Sequence, residues 1–181
     1  MELRYFPDPA LTERARPIES IDESVAQAAL EMLELMHEKN GIGLAGPQVG
    51  YGFRIFVMNP GGDGAADRVL INPEILETRG QSVGEEGCLS FPGLYAKIQR
   101  AEWIRYRYRT LAGGTEEQEA EGMEARAIQH ECDHLDGILF VKRMSPAEKQ
   151  SRSGQLRELE RKWQARQAEA GGSRSRARAR R

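Results

Sequence analysis

A chain of 181 residues with 39% hydrophobic residues is long enough to form one domain with a sizeable core. Two cysteines are too few for a disulfide framework, and no apolar run has the length of a membrane span or a signal peptide, so we expect a soluble cytoplasmic protein. Eleven Lys and Arg against four Glu give residues 145–181 a charge of +7, which leaves −9 on residues 1–144. The basic end indicates either a polyanionic partner or merely a solvated tail.

The first regular element predicted along the chain is an amphipathic helix. Residues 20–23 have the pattern of a capping box, and a stop signal follows at Asn40 and Gly41. His37 falls in the last turn, where it is both a candidate metal ligand and a favourable cation for the helix dipole. Between the two ends, apolar residues recur at helical spacing: Val25, Ala29, Met32 and Met36.

Four glycines in ten residues mark the segment from Gly41 to Gly50, which has neither the lysine of a phosphate loop nor Rossmann spacing. Such a segment is either a plain loop or one whose backbone lies close to a ligand, and Gln48 is its one side chain with amide donors. Residues 54–59 have the continuous apolar character of a buried strand. Residues 69–71 predict a second short strand that ends before Asn72 and Pro73.

A second unusual segment runs from Glu85 to Gly93 and contains Cys88. Acidic and small polar neighbours do not suit an ordinary core cysteine, so Cys88 is either half-buried and inert or held as a thiolate by a metal ion. Apolar and basic residues then alternate over residues 104–109, which predicts a strand with one exposed face. We expect residues 116–121 to pair back with it as a hairpin.

The helix predicted over residues 123–135 carries the segment His130-Glu131-Cys132-Asp133-His134. Its two histidines lie on one face, so both can bind the same metal ion, and Glu131 beside them can reach a water on that ion. Cys132 lies about 180° away and is expected in the core. The third protein ligand is left open between Cys88, His37 and a carboxylate. A chance occurrence of the spacing is the alternative interpretation.

The C-terminal part is predicted as a basic helix followed by a disordered tail. Ser145 and Pro146 have the character of a helix cap and a first helical residue, and the helix is expected to run to about Ala170 with few apolar anchors. Residues 171–181 contain five arginines and are expected to be disordered. The predicted organisation is therefore a catalytic metallohydrolase domain at 1–144, the basic helix at 145–170 and the tail at 171–181.

Three of these segments together resemble the motifs of peptide deformylases, which remove the formyl group from the N-terminal formyl-methionine of new bacterial proteins. They stand in that family's order as Gly41-Ile42-Gly43-Leu44-Ala45-Gly46-Pro47-Gln48, Glu86-Gly87-Cys88-Leu89-Ser90 and His130-Glu131-Cys132-Asp133-His134. The resemblance extends over residues 1 to about 165. Two positions depart from the family pattern: Gly46 stands where Ala is usual, and Tyr95 stands where some members have Arg.

This resemblance implies a metal-dependent amide hydrolase. Cys88, His130 and His134 would bind one divalent metal ion, most often Fe²⁺ in that family, with Zn²⁺, Ni²⁺ or Co²⁺ as substitutes. Glu131 would be the general base and acid: it would take a proton from the metal-bound water, so that the hydroxide attacks the formyl carbon, and return it to the departing amine. The side-chain amide of Gln48 and the backbone N–H of Leu89 would stabilise the oxyanion.

The same resemblance suggests the substrate and further contacts. The substrate would be a formyl-methionyl nascent peptide, and the basic C-terminal helix is similar to the segment with which some bacterial deformylases bind the ribosome. The arginine-rich tail after Gly171 lies outside the resemblance, and ribosome binding by this tail is a separate hypothesis. Helix geometry, independently of the resemblance, turns Asp133 away from the metal face, so we expect it to be a structural partner of Arg100. The candidate substrate-binding residues are Ile42, Gly43, Met123 and Ala127. The apolar side chains of Ile42, Met123 and Ala127 would receive the methionine side chain.

We therefore predict an α+β fold in which small antiparallel or mixed β-sheets surround a central metal-binding helix, with one N-terminal and one C-terminal helix. Two other functions could use the same central helix. A zinc metallopeptidase would take a carboxylate as its third ligand. A ribosome-associated binding protein with a structural metal would need a fourth protein ligand and would have no use for Glu131.

Overall fold

The computed structural model describes residues 1–62 and 66–178, with side chains up to residue 169. Over these residues it has an α+β fold of three helices and seven strands, which confirms the predicted fold class. The helices are α1 (Glu23–Glu38), α2 (Gly122–Leu135) and α3 (Pro146–Arg178). The strands are β1 (Gly43–Ala45), β2 (Ile55–Met58), β3 (Arg68–Arg79), β4 (Ser82–Gly87), β5 (Tyr95–Arg100), β6 (Trp103–Arg109) and β7 (Thr115–Glu121).

The strands form two antiparallel sheets. The larger has five strands in the order β1-β2-β3-β6-β7, and the smaller is the β4–β5 hairpin. Strand β6 buries its apolar side chains and pairs with β7, so the predicted hairpin is confirmed. The β4–β5 hairpin was not predicted, because its first strand is rich in glycine and glutamate and exposes Val83, so it lacks an apolar alternation.

Helices α1 and α2 pack on opposite faces of the five-stranded sheet. The side chains of β2 contact both helices, because successive side chains of a strand point to opposite faces of the sheet. Ile55 and Val57 join the apolar cluster of α1, whereas Phe56 and Met58 join the cluster of α2. Both faces of β2 are therefore covered, which explains why its sequence is apolar throughout. The prediction of a buried strand at this place is confirmed.

The predicted start of α1 needs correction. Asp22, and not Ser20, caps the helix: its carboxylate accepts hydrogen bonds from the backbone N–H groups of Ser24 (3.0 Å) and Val25 (3.2 Å). The pattern over residues 20–23 placed the cap two residues too early, because aspartate and serine are both good caps and only the backbone geometry distinguishes them.

The predicted end of the second strand is also wrong, because β3 continues through Asn72 and Pro73 to Arg79. The pairing of β3 with β6 shifts register between Ile71 and Glu74, which accommodates a proline that has no N–H to donate. The side chain of Asn72 bonds both the N–H and the carbonyl of Ile18, at 2.8 Å each. The long-range contact between Asn72 and Ile18 thus stabilises β3 at Pro73, where local sequence signals alone predict that the strand ends.

Helix α3 begins as predicted, with the Ser145 hydroxyl accepting a hydrogen bond from the N–H of Glu148 at 3.1 Å. Leu156 and Leu159 pack on an apolar cluster that also contains Phe91 and Phe140. The structure extends the helix to Arg178, beyond the end near residue 170 expected from the sequence, and residues 179–181 lie outside the described residues. The division of the chain at residue 144 and the disorder of the tail stay predictions.

Candidate metal centre and active site

Helix α2 and the segment after β4 bring three metal-binding side chains together. His130 and His134 lie one turn apart on the buried α2, and Cys88 follows β4 directly. Sγ of Cys88 lies 3.3 Å from Nε2 of His134, and the ligand atoms of all three residues lie within 4.8 Å of one another. One thiolate and two imidazoles are ligands that a divalent transition-metal ion accepts, so these three residues could hold one.

His37, the other histidine considered as a third ligand, lies outside the cluster of Cys88, His130 and His134. Its Nε2 is 2.8 Å from Oδ1 of Asp67, and its side chain is half exposed at the end of α1. Cys132 belongs to the apolar cluster of α2, and burial raises the pKa of its thiol to about 12. The prediction that Cys132 is a core residue, and not a ligand with the histidines, is confirmed.

Glu86 is the centre of a buried ionic cluster behind the candidate ligands. Its carboxylate lies 2.9 Å from Nδ1 of His130, accepts two bonds from Arg100 at 2.9 and 3.0 Å, and accepts one from Arg126 at 2.8 Å. Burial alone raises the pKa of Glu86, but the bonds from His130 and Arg100 outweigh it and lower the pKa to about 2. An ionised Glu86 fixes Nδ1 of His130 as the protonated nitrogen and leaves Nε2 for a metal ion.

The role of Glu86 was not predicted from the sequence. The signal was available, because two glutamates beside a cysteine cannot be buried without cationic partners. The local sequence does not identify those partners, Arg100 and Arg126, because they lie 14 and 40 residues away along the chain.

Asp133 has the partner that the sequence predicted. Its Oδ2 lies 2.5 Å from Nη1 of Arg100, and Arg143 donates two further bonds to the same carboxylate at 2.6 and 3.1 Å. The second partner, Arg143, was not foreseen.

Glu131 lies buried against the glycine-rich segment. A Cβ built on Gly43 would collide with the carboxylate of Glu131, so only a glycine allows the two to be this close. Oε2 of Glu131 has no hydrogen-bond partner among the described residues. Burial raises the pKa of Glu131 to about 7, which is near the value expected of a group that accepts and returns protons at neutral pH.

Substituting alanine for Gly43 should therefore lower catalysis without removing the metal. The added methyl group must displace the Glu131 carboxylate, and we expect kcat to fall by about 10²-fold, within the range of a misplaced catalytic group. Gly52→Ala is the matched control, because a Cβ at Gly52 meets nothing within 4 Å. Formate release, the activity that the resemblance implies, and bound metal should be measured for both variants. Equal kcat values for the two would contradict the steric argument.

Gln48 is held in one orientation beside Cys88. Its Oε1 accepts a hydrogen bond from the N–H of Ala45 at 2.8 Å, which turns its Nε2 toward the hydroxyl of the fully buried Ser90 at 3.2 Å and Sγ of Cys88 at 3.5 Å. Because a backbone N–H can only donate, the bond from Ala45 identifies the oxygen of the amide and therefore its donor end. An N–H group of Gln48 is therefore presented to the site.

Gly46, where the family usually has alanine, has a steric reason in this chain. A Cβ at this position would lie 2.5 Å from the carbonyl oxygen of Tyr51 and 2.8 Å from that of Phe53. Real Cβ atoms essentially never come this close to backbone oxygens, so a side chain here would displace the neighbouring loop. The departure from the motif thus fits the local packing and leaves Gln48 in place.

Cys88, His130, Glu131 and Gln48 line one cavity of about 590 Å³. His134 lies buried beside them, with its Nε2 3.3 Å from Sγ of Cys88. Ala127 is buried in the wall of the cavity, whereas Ile42 and Met123 are 46% and 58% exposed and lie at its rim. Gly43, Leu89 and Tyr95 also line it. The structure thus brings the residues that the resemblance assigns to the site, except the buried His134, to a single cavity large enough for a side chain and adjoining backbone.

The model of the polypeptide deformylase family matches residues 1–150. The chain belongs to the polypeptide deformylase family. A peptide deformylase of Alkalilimnicola ehrlichii is 48% identical over 146 residues, which cover 80% of this chain and 82% of that protein. A peptide deformylase of Thermotoga maritima is 45% identical over 148 residues, which cover 81% and 88%. All three motifs lie within the matched residues.

Crystal structures of peptide deformylases share the fold. The Thermotoga maritima deformylase aligns with a TM-score of 0.77 at 44% identity, covering 80% of this chain and 97% of that one. Arabidopsis thaliana peptide deformylase 1B aligns with a TM-score of 0.88 at 34% identity, covering 92% and 93%. Both the resemblance and the enzyme class predicted from it are confirmed: this deformylase chain is a hydrolase. Over the described residues, none of the helices combines the length and hydropathy of a membrane span.

Proposed function

We propose that this chain removes the N-terminal formyl group from formyl-methionyl nascent polypeptides. The observation that carries the proposal is the cluster of Cys88, His130 and His134, two members of which share one cavity with Glu131 and Gln48, in a chain of this family. The reaction adds water across the formyl C–N bond and yields formate and a free α-amine. Because nascent chains are made in the cytoplasm, we propose that location, which also suits two free cysteines.

The metal ion is proposed to be Fe²⁺, held by Sγ of Cys88 and the Nε2 atoms of His130 and His134, with Zn²⁺, Ni²⁺ or Co²⁺ as substitutes. When bound, such an ion lowers the pKa of a water molecule and polarises the formyl oxygen. The thiolate supplies one negative charge, so a Cys/His/His set leaves the ion less positive than three histidines would. A nearby protein base is correspondingly more useful.

Glu131 is the proposed base. Its carboxylate accepts a proton from the attacking water and later gives that proton to the nitrogen of the departing amine, so that the residue ends the cycle unchanged. Burial favours both steps, because it keeps the carboxylate's affinity for a proton close to neutral pH and excludes competing water. Gly43 leaves the space that this carboxylate occupies, because a Cβ at position 43 would collide with Oε1 of Glu131.

Gln48 and Leu89 are the proposed donors to the oxyanion. As water adds to the formyl carbon, its oxygen gains negative charge, and an N–H group that already points there stabilises this charge without reorganisation. Nε2 of Gln48 is fixed by the bonds to Ala45 and Ser90, and the backbone N–H of Leu89 follows Cys88 directly. Ile42, Met123 and Ala127 would contact the methionine side chain of the substrate.

The proposed reaction is tested by measuring formate. Protein loaded anaerobically with Fe²⁺ or with Ni²⁺ is expected to release formate from formyl-Met-Ala-Ser and to leave acetyl-Met-Ala-Ser intact, since the acetyl methyl group adds bulk at the reacting carbon. No formate from protein shown to contain one metal ion per chain would refute the proposal.

Replacing Cys88 distinguishes a deformylase from a metallopeptidase that takes a carboxylate as third ligand. Cys88→Ala should weaken metal binding by more than about 100-fold, since outer hydrogen-bond partners alone are worth 10–100-fold. Cys132→Ala is the matched control: the same residue type, two positions from a candidate ligand but on the opposite face, should keep its metal. Competition with a metal chelator provides the measurement. Equal affinities for both variants would favour the metallopeptidase.

We also propose that the basic C-terminal helix and tail bind ribosomal RNA, in support of which residues 145–181 carry a charge of +7. Truncation after Ala170 removes five arginines and should weaken ribosome binding and reduce the slope of log affinity against log salt by up to about 4. A variant with lysine at all five positions keeps the charge and should keep the slope. Ribosome binding that is unchanged by the truncation would rule out this contact.

A further inference from the structure

A continuous line of ionic contacts runs from the protein surface to His130. Arg143 donates to both oxygens of Asp133, and Oδ2 of Asp133 lies 2.5 Å from Nη1 of Arg100. Arg100 donates through its other two nitrogens to Glu86, whose Oε2 lies 2.9 Å from Nδ1 of His130. The charges alternate in sign along these residues, so each carboxylate lies between two cationic or proton-donating groups.

Arg143 differs from the other members of the line. Glu86, Arg100 and Asp133 are buried, whereas the side chain of Arg143 is 46% exposed. It lies just before α3, at the end of a short 3₁₀ helix formed by residues 140–142. Arg143 therefore connects the start of the C-terminal helix with the buried residues behind the candidate metal centre.

We propose that Arg143 is a positioning residue of the metal centre, which orients His130 through Asp133, Arg100 and Glu86. Arg100 is shared between two carboxylates, so its position depends on how strongly each one attracts it. With Arg143 present, part of the charge of Asp133 is neutralised, and Arg100 keeps both of its bonds to Glu86. Without Arg143, Asp133 attracts Arg100 more strongly and Glu86 holds Nδ1 of His130 less rigidly.

A water-accessible cavity allows this role to be separated from simple stabilisation of the fold. Arg100, Asp133 and Arg143 line a space of about 500 Å³ on the side of α2 that is remote from Glu131. Water in that space can solvate Asp133 when the Arg143 side chain is shortened, so the folding penalty is limited. The loss of a fixed guanidinium remains, because water does not impose one orientation on the carboxylate.

The test compares Arg143→Met with Arg143→Lys and with a matched control, Arg54→Met. Arg54 also donates to a carboxylate at the end of α2, with Nη1 2.7 Å from Oδ1 of Asp136. Its other hydrogen bonds within the described part of the chain go to the carbonyls of Leu135 and Pro73 and to no member of the line that ends at His130. The metal-free proteins are titrated with Co²⁺, and affinity, visible absorption and thermal unfolding are recorded. The absorption bands report the ligand geometry around Co²⁺, which a loss of global stability alone does not change.

We expect Arg143→Met to bind Co²⁺ about 10-fold more weakly than the wild type and to shift its visible bands, as for other outer partners of metal ligands. Arg143→Lys should recover most of the affinity, and Arg54→Met should keep wild-type affinity and bands whatever its thermal stability. Adding Arg143→Met to an Asp133→Asn background should have no further effect on affinity, since the line is already broken. Unchanged affinity and bands in Arg143→Met, or the same losses in Arg54→Met, would overturn the proposal.

The inference rests on the proposed role of His130 as a metal ligand, and the same titration separates the two. If the wild type binds no Co²⁺ at the three candidate ligands, or if His130→Ala leaves binding unchanged, the proposed metal centre itself fails. If the wild type binds Co²⁺, His130→Ala abolishes binding and Arg143→Met has no effect, only the positioning role fails.

Discussion

Glu131→Gln is expected to lower kcat for formate release by about 10²–10⁴-fold, the usual contribution of a general acid–base group, while one metal ion per chain is retained. The amide has the shape of the carboxylate and fits the same buried space beside Gly43, so the variant removes the proton acceptor without creating a cavity. Steady-state kinetics with formyl-Met-Ala-Ser and metal analysis of the same sample provide the measurement. Glu131→Ala, which also removes the side-chain volume, should be at least as inactive.

Glu124→Gln is the matched control for this experiment. Glu124 is a half-exposed carboxylate in the first turn of the same helix, where it pairs with Arg68, and its loss should leave kcat within about twofold of the wild type. Turnover by Glu131→Gln at a rate similar to that of Glu124→Gln would exclude Glu131 as the base.

The metal-free Glu131→Gln protein should also be more stable than the metal-free wild type. Burial raises the pKa of Glu131 from 4.5 to about 7, so folding becomes less favourable as the pH rises above 4.5 and the full cost is present above 7. A neutral side chain removes this cost, and the free energy of unfolding at pH 8 should increase by up to about 3 kcal/mol. The gain should disappear as the pH falls to 4.5, which urea denaturation at several pH values can follow.

Glu86→Gln, in contrast to Glu131→Gln, is expected to lower the free energy of unfolding. It should also weaken metal binding. The change leaves the guanidinium groups of Arg100 and Arg126 buried without a full counter-charge, and breaking a buried ion pair from one side typically costs about 3–5 kcal/mol. Metal affinity should fall by about 10–100-fold, because His130 loses the anion that orients it. Urea denaturation and metal titration test both effects.

The stability difference between wild type and Glu86→Gln should depend on pH. The folded-state pKa of Glu86 is about 2, below its ordinary value of 4.5, so its ionic contribution is complete above 4.5 and is lost as the pH falls toward 2. The two proteins should therefore differ most near pH 7 and converge in acid. Glu85→Gln, at the exposed neighbouring position, should change stability by less than about 0.5 kcal/mol at any pH. A Glu86→Gln protein as stable as Glu85→Gln would contradict the buried-cluster argument.

The elements predicted correctly from the sequence are those whose side chains repeat with one period or carry a local signal. Helix α2 places His130 and His134 on one face because four residues make about one helical turn, and no distant part of the chain alters that geometry. The apolar run of β2 and the alternation in β6 are equally local. For the same reason the position of Cys132, opposite the histidines, followed from the helix period alone.

Only the tertiary structure decided which distant residues complete the site. Cys88 reaches His134 from 46 positions away, and Glu86 reaches His130 from 44 positions away, separations over which the sequence carries no geometric information. The resemblance to deformylases pointed to Cys88, but neither it nor the spacing indicated that Arg143 completes a line of charges behind the ligands. Strand β3 continues past Pro73 because Asn72 bonds Ile18, which a local signal cannot reveal. The sequence by itself thus determined the histidine pair and the helix that carries it, whereas the packing of two sheets around that helix determined its partners.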